Sequence, residues 1–278
     1  MPFNSADAYR QFAASVKHDK RFIYDERVSA FLSALHETSV SRTVDLPAGS
    51  ILWRAQLGYQ VRIQDAGKPE EMEVEAPYFA ERMKPLAQKV TDGRPNPRGI
   101  AYLYLASTDN AACSEVRPWL GALVSLSLSQ FRIKRPLRIV DCTSDKKRWF
   151  KAFDADMTNF IPWEPHEFES VVWGDINEAL SQPVIPDESS LSYVPTQIIA
   201  EALRHHGADG LAYKSMLSAG GINFAIFDIK DADPLNYTLY EADKVSYVFR
   251  QYDNTYFEPK PHDGAKKPST SVEPVSET

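Results

Sequence analysis

Four polar residues stand beside apolar runs in a way that would present a lone functional group. Arg54 directly follows Ile51-Leu52-Trp53, and Tyr104 lies inside the apolar run from Ile100 to Ala106. Glu115 belongs to the segment leaving that run, and Ser215 closes Gly210–Ser215 just ahead of Gly220-Gly221. A guanidinium offers a planar fork of donors suited to phosphate. A carboxylate can stabilise a developing cation. Tyrosine brings a ring face for stacking and a hydroxyl donor, and a serine hydroxyl can orient either a substrate or a neighbouring carboxylate. Each residue also has a plainer reading. Arg54 can be solvated or ion-paired, Glu115 can serve a helix dipole from an early turn, and Ser215 and Asn223 can be turn residues beside glycines. Strand alternation puts Tyr102 and Tyr104 on one face, so either can be a core residue and either can meet a ligand.

The elements needed to position these groups follow from hydrophobic spacing. Tyr9, Phe12, Ala13 and Val16, and then Val28, Phe31, Leu32 and Leu35, recur at helical intervals, with Ser5 as a candidate N-cap. Residues 1–45 therefore read as a helical N-terminal extension. Strands are expected at 51–54, 100–106, 123–128, 137–140, 210–215 and 223–227. Helices are expected from Ser107-Thr108-Asp109 to the break at Pro118, within the aromatic-rich stretch 146–181, and over Thr196–Arg204. Residues 58–99 are polar and rich in proline and glycine, which reads as long loops. Within them Arg82, Lys84 and Arg94 are further phosphate candidates, with a solvated face as the alternative. From Pro259 to Thr278 no aromatic, leucine or isoleucine occurs, the composition of a disordered tail. Helices and short strands interleave without regular βαβ spacing, which points to an α+β fold.

Composition narrows the function classes. The net charge of −7 disfavours non-specific binding to a nucleic-acid backbone, while a few local arginines still suffice for a small anion. No apolar run is long enough to span a bilayer, and the N-terminus lacks the apolar core of a signal peptide. Cys113 and Cys142 make no disulfide framework and read as small buried residues in a reducing, cytoplasmic setting. The six histidines lack metal-ligand spacing apart from the adjacent His205-His206, which reads as a helix C-terminal pair, so no metal is expected. Dinucleotide-fold, P-loop, zinc-protease and serine-hydrolase motifs are all missing.

In order, the blocks resemble the RES-domain family, named for an arginine, a glutamate and a serine. Ile51-Leu-Trp-Arg54 is similar to its arginine block. Gly93 to Ile100, continuing through Tyr104 to Ser114-Glu115-Val-Arg-Pro-Trp119, is similar to its tyrosine and glutamate block. Asp209 to Ser215, with Gly220-Gly-Ile-Asn223 and Phe227-Asp228, is similar to its serine block. The resemblance implies an ADP-ribosyltransferase-like split mixed β-sheet surrounded by helices, over residues 46–258. It further implies an NAD⁺-degrading bacterial toxin, with water or phosphate as acceptor and a helix-turn-helix antitoxin as partner. Glu115, Arg54, Tyr104 and Ser215 would be catalytic, and Arg54, Tyr104, Ser215, Asn223 and Arg94 would hold NAD⁺. Protein ADP-ribosylation, or a silent nucleotide- or partner-binding domain, are the alternatives. Oligomerisation stays open.

Overall fold

Helical spacing in the first forty residues matches the burial found in the computed structural model, which describes residues 2–86, 89–118, 125–143, 165–182 and 189–243. Helix α1 (Ala8–His18) buries Ala8, Phe12, Ala13 and Val16, and α2 (Glu26–Ser39) buries Val28, Phe31, Ala34 and Leu35. The rings of Phe12 and Phe31 stack at 4.2 Å between centroids. Asp25 caps α2 by accepting from the backbone N–H groups of Arg27 and Val28, both at 3.0 Å. Such a cap contributes about 1 kcal/mol. Ser5 is not the cap of α1. Asp7 holds that position, and the Ser5 hydroxyl accepts from the Asp7 N–H at 3.1 Å. A short hydroxyl bonding two residues ahead makes a local turn before the helix instead of a cap on it.

These two helices share one apolar cluster with α5 (Pro165–Ser181) and α6 (Ser189–His205), joined by Trp173, Ile176, Ile199 and Leu203. The helical extension thus covers one face of the central sheet. That face presents Val140, Leu211, Tyr213 and Ala225 to the helices, while the opposite side chains of Ile139, Ala212 and Ile226 join a second cluster around Phe131 and Met83. Residues Met1–Lys244 form one compact unit, and a second, Val245–Thr278, lies outside the described residues together with the expected tail.

The sheet uses β1 (Thr43–Leu46), β2 (Ile51–Leu57), β5 (Leu103–Ala106), β6 (Ser125–Ile133), β7 (Leu137–Asp141), β8 (Gly210–Lys214), β9 (Ile222–Ile226), β10 (Ala232–Pro234) and β11 (Thr238–Glu241). Their order is β1-β7-β8-β9-β5-β2-β6-β10, with β11 also on β6. Strands β7 and β8 pair in parallel, whereas β8–β9 and β9–β5 are antiparallel, so the sheet is mixed. Between β5 and β2 the pairing shrinks to the single register pair Trp53↔Ala106, although β2 pairs with β6 along its whole length from Ile51 to Leu57. The sheet is split there, as expected for this α+β class.

Residues 58–99 are not long loops throughout. They contain a hairpin of β3 (Gln60–Gln64) and β4 (Met72–Ala76), followed by the short α3 (Ala80–Met83). Both strands are short, and Val61 and Ile63 remain more than half exposed, so the alternation never marks a buried face. Tertiary bonds secure the base of the hairpin. The Ser127 hydroxyl donates to Gly58 O at 2.7 Å and accepts from the Tyr78 N–H at 2.9 Å. The expected helix in 146–181 is described only for α5.

Candidate active site

Where β5 and β2 part, a cavity of about 630 Å³ opens, lined by both strands, the end of α4 (Asp109–Glu115), Gly93-Arg94, Tyr193, Tyr213 and Asn223. This volume is ordinary for a small-molecule site. Helix α4 starts at Thr108, whose hydroxyl accepts from the Ala111 N–H at 3.1 Å. Glu115 is its last residue. A carboxylate at a helix C-terminus meets the negative end of the dipole, so service to the dipole from an early turn does not account for it.

Other contacts hold Glu115 in place. Its Oε1 accepts from the Ser215 hydroxyl at 2.8 Å and from Asn223 Nδ2 at 2.7 Å. Its Oε2 lies 3.8 Å from Arg94 Nη1, and the two side chains are mostly buried. Ser215 is set by the end of β8. Its N–H bonds to Gly221 O at 2.8 Å, and the preceding Lys214 N–H bonds to Asn177 Oδ1 of α5 at 3.0 Å. Asn223 is buried in β9, opposite both Ala106 and Tyr213.

The Arg94 loop is clamped by α6. Gln197 Nε2 donates to the carbonyls of Gly93 and Asn96, each at 3.0 Å, and the Thr196 hydroxyl donates to Arg94 O. Asn96 is buried, its Nδ2 shared among the carbonyls of Thr91, Pro97 and Ile100 at 3.1–3.2 Å, while its Oδ1 accepts from the Tyr104 hydroxyl. Gly93 leaves no room for a Cβ unless Asn96 and Tyr104 shift. A Cβ there would come within 2.5 Å of the Tyr104 oxygen and closer still to Asn96 Oδ1.

Tyr104 lines the cavity, whereas Tyr102 is buried against Phe227 with ring centroids 4.8 Å apart. Burial pushes the Tyr104 hydroxyl well above its usual value and that of Tyr213 up to about 12. Both therefore stay protonated at neutral pH. Because the Tyr104 proton is committed to Asn96, its ring face is what remains for a ligand. Arg54 Nη1 donates to Tyr104 O at 2.9 Å, and its Nε is sealed from solvent without a partner. Burial lowers the Arg54 guanidinium to about 10, which still leaves it charged at neutral pH. The charged lining groups among the described residues are Arg54, Arg94 and Arg117 against Glu115 alone. The cavity is thus locally cationic in an acidic chain.

The profile of the RES domain matches residues 72–249. The chain belongs to the RES-domain family. Tyr104, Arg94, Glu115, Ser215 and Asn223 fall inside the matched region, and Arg54 falls before it; the β2–β5 split brings that arginine to the others. No curated protein matches the chain. Among solved structures, the chain is similar to one in the crystal structure of the M. tuberculosis MbcT-MbcA toxin-antitoxin complex. The identity is 14%, the match covers 75% of this chain and 91% of that one, and the TM-score is 0.38.

Apart from Ser215, which touches the site through Glu115, all the RES-domain residues singled out in the sequence line the cavity itself. Arg82 and Lys84 do not: Arg82 lies over the Tyr78 ring at 4.7 Å, and Lys84 pairs with Asp233 at 2.6 Å. His206 stacks on His36 at 3.6 Å. Among the described residues no group of three His, Cys, Asp or Glu side chains is placed to hold a metal, and no helix is long and apolar enough to cross a membrane. Trp53, Arg117, Tyr193, Tyr213 and the clamp Thr196-Gln197-Asn96 escape sequence reasoning. Trp53, Asn96, Arg117 and Tyr213 lie inside the three family blocks, which is the signal they carried; Tyr193, Thr196 and Gln197 lie outside them.

Proposed function

We propose that this RES-domain protein cleaves NAD⁺ between nicotinamide and ribose and passes the ADP-ribosyl group to water or inorganic phosphate. The observation that carries this reading is the oriented carboxylate of Glu115, with Oε1 held by Ser215 and Asn223 at the wall of a cavity whose other charged lining groups among the described residues are arginines. As the glycosidic C–N bond breaks, its electron pair leaves with the nicotinamide nitrogen, and the anomeric carbon takes on oxocarbenium character. Glu115 supplies a fixed negative charge to that centre, and its Oε2 is free to accept from a ribose hydroxyl. Ser215 and Asn223 act by positioning Glu115. Arg54 meets the pyrophosphate, and Tyr104 offers its ring to the nicotinamide. A water oxygen joins the anomeric carbon and its proton passes to solvent, or a phosphate oxygen forms that bond directly.

A cytoplasmic toxin role belongs to the same proposal, with a helix-turn-helix antitoxin covering the cavity. The test is incubation of purified protein with NAD⁺, with and without phosphate, followed by product identification. Nicotinamide plus ADP-ribose, or plus its phosphorylated form when phosphate is present, is expected. Intact NAD⁺ with folded protein overturns the proposal, and modified protein in place of free ADP-ribose would indicate protein ADP-ribosylation.

A further inference from the structure

We infer that Arg117 is a second anion-binding residue of the cavity and takes one phosphoryl group of a diphosphate while Arg54 takes the other. The inference rests on the reading of the cavity as a dinucleotide site. Arg117 follows Val116, the C-cap of α4, and adopts a left-handed backbone, φ 50°. Helices commonly end this way on glycine, which has no Cβ to crowd the carbonyl. An arginine there is strained, and Pro118 restricts the residue before it further. The one other non-glycine residue with this geometry among the described residues is Asp65, in a hairpin turn where Asp is tolerated. Arg117 lines the cavity and is exposed to solvent.

Charge accounting among the three arginines leads to the same residue. Arg94 is turned to the Glu115 carboxylate, and Arg54 has one nitrogen committed to Tyr104 O. Arg117, like Arg54, makes no ion pair among the described residues, so these two guanidiniums are left without a counter-charge. A diphosphate carries a charge on each phosphoryl group, and one fork matches one of them. The rival explanation is that Arg117 only offsets the negative end of α4. Glycine would then close the helix without strain, and no ligand would sense the exchange.

Calorimetric titration with ADP and with adenosine, on the parent and on Arg117→Ala, Arg117→Gly and Arg117→Lys, separates the two. Losing a charge-assisted fork should weaken ADP by about 10- to 100-fold in the Ala and Gly variants and leave adenosine within about twofold. Lysine should recover part of the loss, because it keeps the charge without the fork. KM for NAD⁺ should rise in parallel while kcat stays within a few-fold, and Arg117→Gly should melt no lower than the parent. ADP affinity unchanged in both the Ala and Gly variants overturns the inference, whatever the melting temperature does, and so does a parent protein that binds ADP no better than adenosine. If the parent fails to cleave NAD⁺ but binds ADP through Arg117, the proposed activity falls and the anion site stands. If it cleaves NAD⁺ with no Arg117 effect on ADP, only the anion site falls.

Discussion

Replacing Glu115 by Gln keeps the size of the side chain and removes the charge. Its Oε1 receives two bonds, at 2.8 Å from Ser215 and 2.7 Å from Asn223. The amide oxygen of Gln must occupy that place, because turning its NH₂ there would set donor against donor. The NH₂ then faces Arg94 where Oε2 now lies 3.8 Å away. Two charge-assisted bonds become neutral ones, a loss of about 1 kcal/mol each. Relief at the C-terminus of α4 returns up to about 1 kcal/mol. The net destabilisation is about 1 kcal/mol, a fall of roughly 2–4 °C in melting temperature for a domain of this size. Catalysis should suffer far more. A preorganised charge facing an oxocarbenium-like centre is worth on the order of 10² to 10³ in turnover, with KM changed by only a few-fold. Nicotinamide release and thermal melting measured on one preparation provide the assay. A folded Glu115→Gln protein that turns over NAD⁺ within a few-fold of the parent refutes the assignment of Glu115.

Three other perturbations test neighbouring links. Arg54→Lys should raise KM for NAD⁺ by about 10-fold or more, since lysine cannot supply the fork, and unchanged steady-state kinetics would place Arg54 outside the site. Gly93→Ala should push Asn96 and Tyr104 apart, costing about 1–3 kcal/mol in thermal or urea unfolding and most of the turnover; a variant indistinguishable from the parent would contradict the close approach. Because burial lowers the Arg54 guanidinium to about 10, its charge is present below that pH and lost as pH rises through it. KM for NAD⁺ in short incubations should therefore stay flat between about pH 7 and 9 and climb near pH 10, and a flat profile beyond about pH 10.5 would count against Arg54 as the phosphate ligand.

The amino-acid sequence by itself determined what depends on near neighbours. Helical spacing around Phe12, Phe31 and Ile199 marked α1, α2 and α6, and apolar runs marked β2, β5, β7, β8 and β9. The order of the arginine, glutamate and serine blocks marked the family. Local pattern misled where local signals were weak: Ser5 was a sound cap by type but bonds the wrong N–H, and β3–β4 never shows a buried face. Only the tertiary structure decided which side chains meet. Arg54 bonds Tyr104 across 50 residues, and Glu115 receives Ser215 across 100 and Asn223 across 108. Those separations are closed by strand pairing, which no local period encodes. Tyr102 and Tyr104 share a face by alternation, yet Tyr102, which precedes β5, is buried against Phe227 while Tyr104, inside β5 beside the split, lines the cavity. The cavity, and the meeting of Arg54 with Arg94 and Glu115 along its wall, follow from that split, since full pairing of β5 with β2 would leave no room for a ligand.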